Sequence, residues 1–400
     1  MELLGTNDPS AAWRPRFKIL VNDTDWSGWF VHGQIKQEGL FRNGTFILDF
    51  DLGKAGKVDP TTGAVTKGSP LDVLLTPHVS VYRDVVKIYM GYVASEDDTS
   101  QLPLVFEGLV DTIELMHNEA VATIEGRDRS AILQESFTHI QFRNKTVAGV
   151  VQEIADKHEL QTNIVDPGTL VGTVFTEEHI DFQHVSSKGY NDWTLLTKLA
   201  EHDGYTVFIT DGVLNYIPVE KAVDTIIFEY GTNIESIKMR KNLAVSHSRV
   251  TVEMGNVQLQ NKSSAFVTAG AGESRKSKDG LSSVYRFTDF PSVDPETLGL
   301  VAEGLALMYA QMEHIVNITS TGAPQQALKN GLLVKGTGTV FDRMYRLTSV
   351  DWHFGYDYGW TSTIEGLQIP DTDQLKNYRT KQRRRSSAGS TGSSGVNVVA

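Results

Sequence analysis

Few side chains in this sequence are spaced for chemistry. Arg127-Asp128-Arg129 is a basic–acidic–basic triplet of the kind found in phosphotransfer loops. It has no companions: the chain carries no glycine-rich phosphate loop on a strand and no Asp-Phe-Gly. The triplet therefore reads as structural. Asp128 is expected to cap a helix beginning near Ser130, and the two arginines to pair with carboxylates nearby or across a subunit contact. Glu177-Glu178-His179, with His184 five residues on, invites a metal or acid–base reading. There is no His-Glu-x-x-His, and two histidines at that spacing on a loop and a strand share no ligand geometry. Gly336-Thr337-Gly338 lacks the third glycine and the following helix of a dinucleotide site, and reads as a tight turn. No Gly-x-Ser-x-Gly elbow occurs, and the absence of cysteine removes thiolate chemistry and disulfides. Paired carboxylates for glycoside hydrolysis stay open, because only their separation in space defines them. We accordingly assign no catalytic, cofactor-binding or metal-binding residue and expect no cofactor and no enzyme activity.

The composition sets wider bounds. With 400 residues, 40% hydrophobic and 22% charged, the chain has enough apolar material for two to four domains. A net charge of -12 argues against gripping nucleic acid along the whole surface. The opening MELLGTNDPSAAWRPRF has no apolar stretch after basic residues, so no signal peptide is expected. No apolar run reaches the length of a transmembrane helix, which points to a soluble chain that leaves a cell, if it does, by lysis.

The elements come in blocks. Residues 17–137 read as short β-branched and aromatic strands: FKILVN, GWFVHGQI, GTFILDFDL, VSVYRDVVKIYMGYV, LPLVFEGLVDTIEL and AVATIEG. Their dense spacing suggests a barrel or sandwich. Leu52 to Leu71 interrupts them with Gly, Lys, Thr and Pro, as either a partner-binding arm or a plain loop. From Thr146, a plausible N-cap, the residues Val147, Val150, Val151 and Ile154 fall on one helical face. A second helix starts at Asn191 or Asp192, carries Trp193, Leu196, Leu199 and Ala200 on one side, and stops at Gly204. Asp211-Gly212 then turns a hairpin between TVFIT and VLNYIP. Strands resume after Ile234 with IKMRKN, SRVTVEM and YRFTDF. A helix from about Pro295 to Glu313 follows, with Leu298, Val301, Ala302, Leu305, Met308, Tyr309 and Met312 on one face. VNITSTG, GLLVKGTGTVF, MYRLTSVDWHF and WTSTIEGLQI close the block. The last segment runs from a basic cluster (Lys376, Arg379, Lys381 and Arg383 to Arg385) through Gly and Ser to Val396-Asn397-Val398-Val399. It reads as a flexible tail whose end could add a strand to a partner. The reading divides the chain into 1–137, a first β-barrel; 138–235, an α/β insert; 236–370, a second β-barrel with one helix; and 371–400, the tail.

Thr-Ile-Glu-Gly occurs at 123–126 and again at 363–366. Each copy ends a strand–polar turn–strand unit, GLVDTIELMHNEAVATIEG in one case and RLTSVDWHFGYDYGWTSTIEG in the other. The repeat points to two related β blocks flanking the α/β insert, with Ile124 and Ile364 turned to the face opposite their neighbours.

In this order the blocks resemble the phage tail baseplate hub proteins, the late-control-D-like hub family shared with contractile injection systems. The resemblance rests on Gly126-Arg127-Asp128 after the first block and on Trp193, Leu196, Leu199, Ala200, Gly204 and Tyr205 in the insert. It rests also on the 295–313 helix followed by GLLVKGTGTVFDRMYRLTSVDWHF, and it covers roughly residues 17–370. The chain departs at Arg343-Met344-Tyr345, where the family often has glycine before the tyrosine. The resemblance implies a mixed β and α+β fold with two tail-tube-like β-barrels flanking a small α/β insert. It implies a homotrimer whose six barrels form a pseudo-sixfold ring joining the tail tube to a threefold central spike. The implied partners are the tail tube protein, the central spike protein, the tape measure protein and other baseplate proteins. Nucleic acid would be met only as the passing genome, in a virion tail tip made in the bacterial host cytoplasm and working in host cell attachment and genome ejection. The competing reading is a soluble carbohydrate-active or cell-wall-degrading enzyme of the tail.

Overall fold

The computed structural model describes residues 14–39, 42–51, 84–93, 101–116, 121–137, 145–168, 170–171, 191–210, 212–243, 245, 249–255, 262–268, 284–290, 295–357, 359–370 and 380. The Leu52–Leu71 stretch, Glu177 to His184 and, apart from Thr380, the tail lie outside these residues.

The first block supplies seven strands: β1 (Arg14–Val21), β2 (Thr24–Asp25), β3 (Phe30–Glu38), β4 (Thr45–Asp51), β5 (Val85–Val93), β6 (Leu104–Met116) and β7 (Val121–Asp128). A short helix, α1 (Ser130–Glu135), leads to the middle segment. That segment holds β8 (Lys145–Thr146), α2 (Val147–Lys157), β9 (Gln161–Ile164), β10 (Leu170–Val171), α3 (Asp192–Asp203), β11 (Tyr205–Thr210) and β12 (Val213–Pro218). Then follow β13 (Thr225–Glu229), β14 (Ser236–Lys241), β15 (Arg249–Gly255), β16 (Lys262–Thr268), β17 (Val284–Phe290), α4 (Pro295–Ala310), β18 (His314–Thr321), β19 (Gly331–Lys335), β20 (Met344–Gly355) and β21 (Gly359–Gln368). The protein is β-rich, mostly antiparallel, with few helices.

The middle segment folds where its local signals say. Thr146 accepts the Gly149 N–H and Asn191 accepts the Thr194 N–H, so each helix begins on a side-chain cap worth about 1 kcal/mol. Gly204 closes α3 at φ 62°, ψ 40°, a left-handed residue that costs glycine little. Val147, Val150, Val151 and Ile154 of α2 and Trp193, Leu196, Leu199 and Ala200 of α3 are buried in one cluster with Tyr205, Leu214 and Tyr216. β11 and β12 form the expected hairpin, with Thr210 opposite Val213, and β9 joins β12 in parallel.

One 13-stranded sheet takes in strands of both outer blocks, along the path β14-β18-β21-β20-β3-β4-β7-β6-β5-β1-β2, with β19 on β20 and β13 on β19. Within this sheet each block has the same six-strand plan. In the first, β1-β5-β6-β7-β4-β3 lie side by side; in the second, β13-β19-β20-β21-β18-β14 do so in the same chain order. The β1–β5 pair is antiparallel, whereas the β13–β19 pair is parallel. The described strand pairs leave the sheet open at β14 and β2. A single buried cluster runs through both modules, from Phe17, Phe46 and Ile124 to Trp352, Phe354 and Ile364.

Three details depart from the sequence reading. β13 lies within the range expected for the insert but pairs β19 of the second module. Strand β16 carries no alternating signal in KSSAFVT and pairs β15 in a separate three-stranded sheet with β17. The 295–313 helix changes at Gln311 into a 3-10 turn, whose tighter winding takes Met312 off the buried face and leaves it exposed. Ala302, Leu305 and Met308 are buried as expected.

Candidate assembly surface

The two Thr-Ile-Glu-Gly copies occupy one structural position. Gly126 faces Val110 and Glu125 faces Thr112, so Asp111 is an extra residue, a β-bulge. Gly366 faces Leu347 and Glu365 faces Ser349, so Thr348 is the extra residue. The flanking strand matches too: Phe46 and Leu48 of β4 face Gly126 and Ile124, as Val316 and Ile318 of β18 face Gly366 and Ile364. Ile124 and Ile364 are fully buried. Both glycines sit where a side chain has no room. A Cβ on Gly126 would lie 2.0 Å from the Leu109 carbonyl oxygen, and one on Gly366 would lie 2.9 Å from Leu332 Cδ2.

The bulge marks a change of partner. Before it, β20 pairs β19 through Met344, Tyr345 and Arg346; after it, β20 pairs β3 of the first module. The Gly39 N–H donates to the Thr348 carbonyl at 2.8 Å, at the crossover itself. The junction then runs from Ser349 opposite Glu38 to Gly355 opposite His32. Gln34 Nε2 donates to both oxygens of Asp351, at 2.8 and 3.0 Å. Beneath, Phe30 stacks on Phe354 with ring centroids 5.3 Å apart, and Phe17 lies 5.2 Å from Phe354. Tyr92 of β5 stacks on Trp360 at 5.7 Å and donates to the Gly322 carbonyl at 3.0 Å. Burial of aromatic rings at such a joint stabilises it far more than the polar rim does. Sequence reading missed this joint, because period-2 alternation gives a strand's face and not its neighbour.

The polar residues singled out from the sequence are tied into structure. Asp128 is buried; its Oδ1 accepts the Ser130 N–H at 2.9 Å and its Oδ2 accepts the Gly44 N–H at 2.8 Å. Burial pushes its carboxyl up to about 6, against the lowering effect of those donors and of Arg127. Arg127 pairs with Asp111 at 2.5 Å and Glu135 at 2.7 Å, and Arg129 with Glu107 at 2.5 Å. Gly336 and Gly338 have φ of 80° and 67°, and Asp342 accepts both the Thr337 and the Gly338 N–H at 3.0 Å. That is the expected tight turn, and its carboxylate is held below the usual range by the Thr337 and Gly338 donors.

A cluster that the sequence did not signal lies in the middle segment. Lys157 Nζ donates to Asp192 Oδ2 at 2.9 Å, Ser136 Oγ at 2.8 Å and the Phe137 carbonyl at 3.3 Å. His158 Nε2 meets the same Asp192 oxygen at 2.9 Å. A serine beside a lysine and a histidine beside an aspartate are catalytic pairs in other settings. Here the three N–H positions of one ammonium are used on three acceptors. The cluster ties the end of α1 and the end of α2 to the start of α3. Among the described residues no group of three or more His, Cys, Asp or Glu could hold a metal ion. No described helix is long and apolar enough to cross a membrane.

No family model and no curated protein matches the sequence. Solved structures do match the fold. The tail protein from Neisseria meningitidis MC58 superposes with a TM-score of 0.61 at 12% identity, over 89% of this chain and 97% of that one. The 43 kDa tail protein of prophage MuSo2 from Shewanella oneidensis gives 0.58 at 16% identity, over 89% and 98%. The c3393 protein of E. coli, a type VI secretion component described as similar to the T4 phage tail proteins gp27 and gp5, gives 0.51 at 13%, over 90% and 78%. At such identities the likeness is one of fold, and it spans nearly the whole chain: this protein is built on the fold of these phage tail and type VI secretion proteins.

Proposed function

We propose that the protein is the structural hub of a phage tail tip. Three copies form a pseudo-sixfold ring that joins the sixfold tail tube to a threefold central spike. The observation that carries this reading is the repetition of one six-strand plan, bulge included, twice in one chain. Two like modules per chain allow a trimer to offer six similar surfaces upward and three whole chains downward. In the ring each module would curl into a tube-like barrel. We divide the chain at 1–137, 138–224, 225–370 and a tail, moving the second module's start to Thr225 because β13 pairs β19.

Its partners on this reading are the tail tube protein, the spike, the tape measure protein and other baseplate proteins, within a virion assembled in the bacterial host cytoplasm. The role is mechanical, in attachment and genome passage, and the genome passes through without sequence-specific contact. Light scattering and negative-stain imaging of the purified chain, alone and with the tube protein, test the reading. A ring of three chains is the expected result. A chain that stays monomeric in both conditions refutes it.

A further inference from the structure

The internal repeat leaves one half of a joint unused. In the first module, β3 gives its outer edge to the part of β20 that follows the bulge. By the repeat, the second module has the same giving edge on β14, and the first module has the same receiving edge on β6 after its own bulge. Among the described residues, β14 pairs only β18, and β6 beyond Val110 pairs only β7. Both are therefore open strand edges, which natural sheets rarely leave uncovered.

We propose that the β14 edge of one copy pairs, antiparallel, with the Ile113–Met116 edge of β6 in a neighbouring copy of this chain. The register follows from the internal joint. Ile35 and Met239 face equivalent residues, Phe46 and Val316, in the strands beside them. Trp352 and Leu115 stand equally far beyond the two bulges. Since Trp352 faces Ile35 within the chain, Leu115 faces Met239 between chains. Asp351 facing Lys36 becomes Glu114 facing Arg240, and Val350 facing Gln37 becomes Ile113 facing Lys241.

The side chains fit this partner. Leu115 and Met116 are large apolar residues left 39% and 37% exposed. β14, SIKMRK, carries Lys238, Arg240 and Lys241 and no acid, while the β6 edge carries Glu114. The basic edge thus meets an acidic one, and the Asp351/Lys36 sign pattern of the internal joint is kept. Each copy gives one edge and receives on another, so the contact is head-to-tail and closes only as a ring. This inference rests on the hub reading for the number of copies in the ring, and on the internal repeat alone for the strand pair.

The cysteine-free chain suits a disulfide test. Directly opposed antiparallel residues lie about 4.5–5.5 Å apart at Cα, inside the range a disulfide spans. A Leu115→Cys chain mixed with a differently tagged Met239→Cys chain should cross-link under mild oxidation. Leu115→Cys mixed with Arg240→Cys, one residue out of register, should not. Gln34→Cys with His353→Cys in one chain reports the internal joint and should close within a single molecule. Glu114→Arg should weaken cross-linking about fivefold, and Arg240→Glu in the partner should restore it. A trimer by light scattering with no 115–239 cross-link overturns the pairing and leaves the hub reading standing. A monomer at the highest soluble concentration, both alone and with the tube protein, with no cross-link, overturns both. Slow hydrogen exchange of the β6 edge in a chain that stays monomeric would show the edge covered within one molecule, and overturns the pairing as well.

Discussion

The two repeat glycines stand at equivalent places but are crowded to different degrees, and alanine at each should separate packing from mere repetition. Neither has a positive φ, so backbone strain is not the issue. At Gly126 an added Cβ would sit 2.0 Å from the Leu109 carbonyl oxygen and 2.6 Å from Phe46 Cε1, where real contacts do not fall below 3.0 Å. The carbonyl belongs to the β6 ladder beside the bulge, so the strand must retreat by 1.0 Å, the difference of 3.0 and 2.0. At Gly366 the nearest atoms are Leu332 Cδ2 at 2.9 Å and Tyr345 Cβ at 3.0 Å, and a shift of a tenth or two suffices. Overpacking a core costs about 1–3 kcal/mol, more when backbone must move. Gly366→Ala should therefore cost about 1 kcal/mol and Gly126→Ala about 3 kcal/mol or more. With a urea slope of about 3 kcal/mol per molar, the midpoints fall by about 0.3 M and about 1 M. Far-UV circular dichroism against urea measures this. Both modules share one buried cluster, so both variants should shift the same transition. Equal shifts, or a Gly126→Ala loss under about 0.5 kcal/mol, would show that the close approach at the bulge does not fix the glycine.

Trp193, 3% exposed in the middle core, should cost about 3–5 kcal/mol on replacement by alanine, read from urea melts followed by far-UV circular dichroism. Asp192→Ala removes the buried carboxylate that Lys157 and His158 share and should cost about 2 kcal/mol, and Lys157→Met in the same chain should recover part of it in the same melts. His202 is held down to about 4 by burial first and by Lys198 second. Its unfolded value is near 6.5, so between pH 6.5 and 4 the unfolded chain binds the extra proton and stability falls as pH falls. His202→Gln should remove that part of the slope, and parallel melts of parent and variant at pH 7 and pH 4.5 check it. Asp128, raised to about 6, acts with the opposite sign, giving stability below pH 4 that is lost as pH rises through 6. It acts in both proteins, so the comparison cancels it.

The local half of the fold was legible in the sequence because it is written in short-range signals. Thr146, Asn191 and Gly204 act within a turn of themselves, and the helical faces of α2 and α3 were read from spacing alone. Thr-Ile-Glu-Gly was legible as a repeat, since a bulge opposite a glycine makes the same demand twice. What the sequence hid is the pairing across blocks. Nothing in FVHGQIKQE says that its edge meets SVDWHFG rather than a strand of its own block, because the hydrogen bonds come from backbone that every residue has. The Lys157 cluster was hidden for a similar reason: Ser136, Lys157 and Asp192 are far apart in sequence and carry no periodic pattern. β16 was missed because Lys-Ser-Ser-Ala gives no alternation to read.

The insertions give the repeated sheet two unlike ends. Thr45 pairs Arg127 while Asp51 pairs Val121, so the start of β4 and the end of β7 lie at one end of the first module. The α/β segment departs there, after Asp128. Lys241 pairs His314 at the equivalent end of the second module, and there the chain departs through β15, β16, β17 and α4. These two excursions meet, since α4 packs against α3. The long excursion between Asp51 and Val85 leaves the first module from the opposite end. Rotation about a ring axis repeats each end on one face, so a ring of such chains has a helix-bearing face and a face without those helices. The two modules stay alike in their strand order, where sixfold neighbours need likeness. They differ in what they insert, and in the proposed ring that difference would survive only with threefold symmetry. On the proposed hub reading, the part that meets a sixfold tube on one face and a threefold spike on the other needs both properties in one chain, and a simple repeat of six identical subunits would supply only the first.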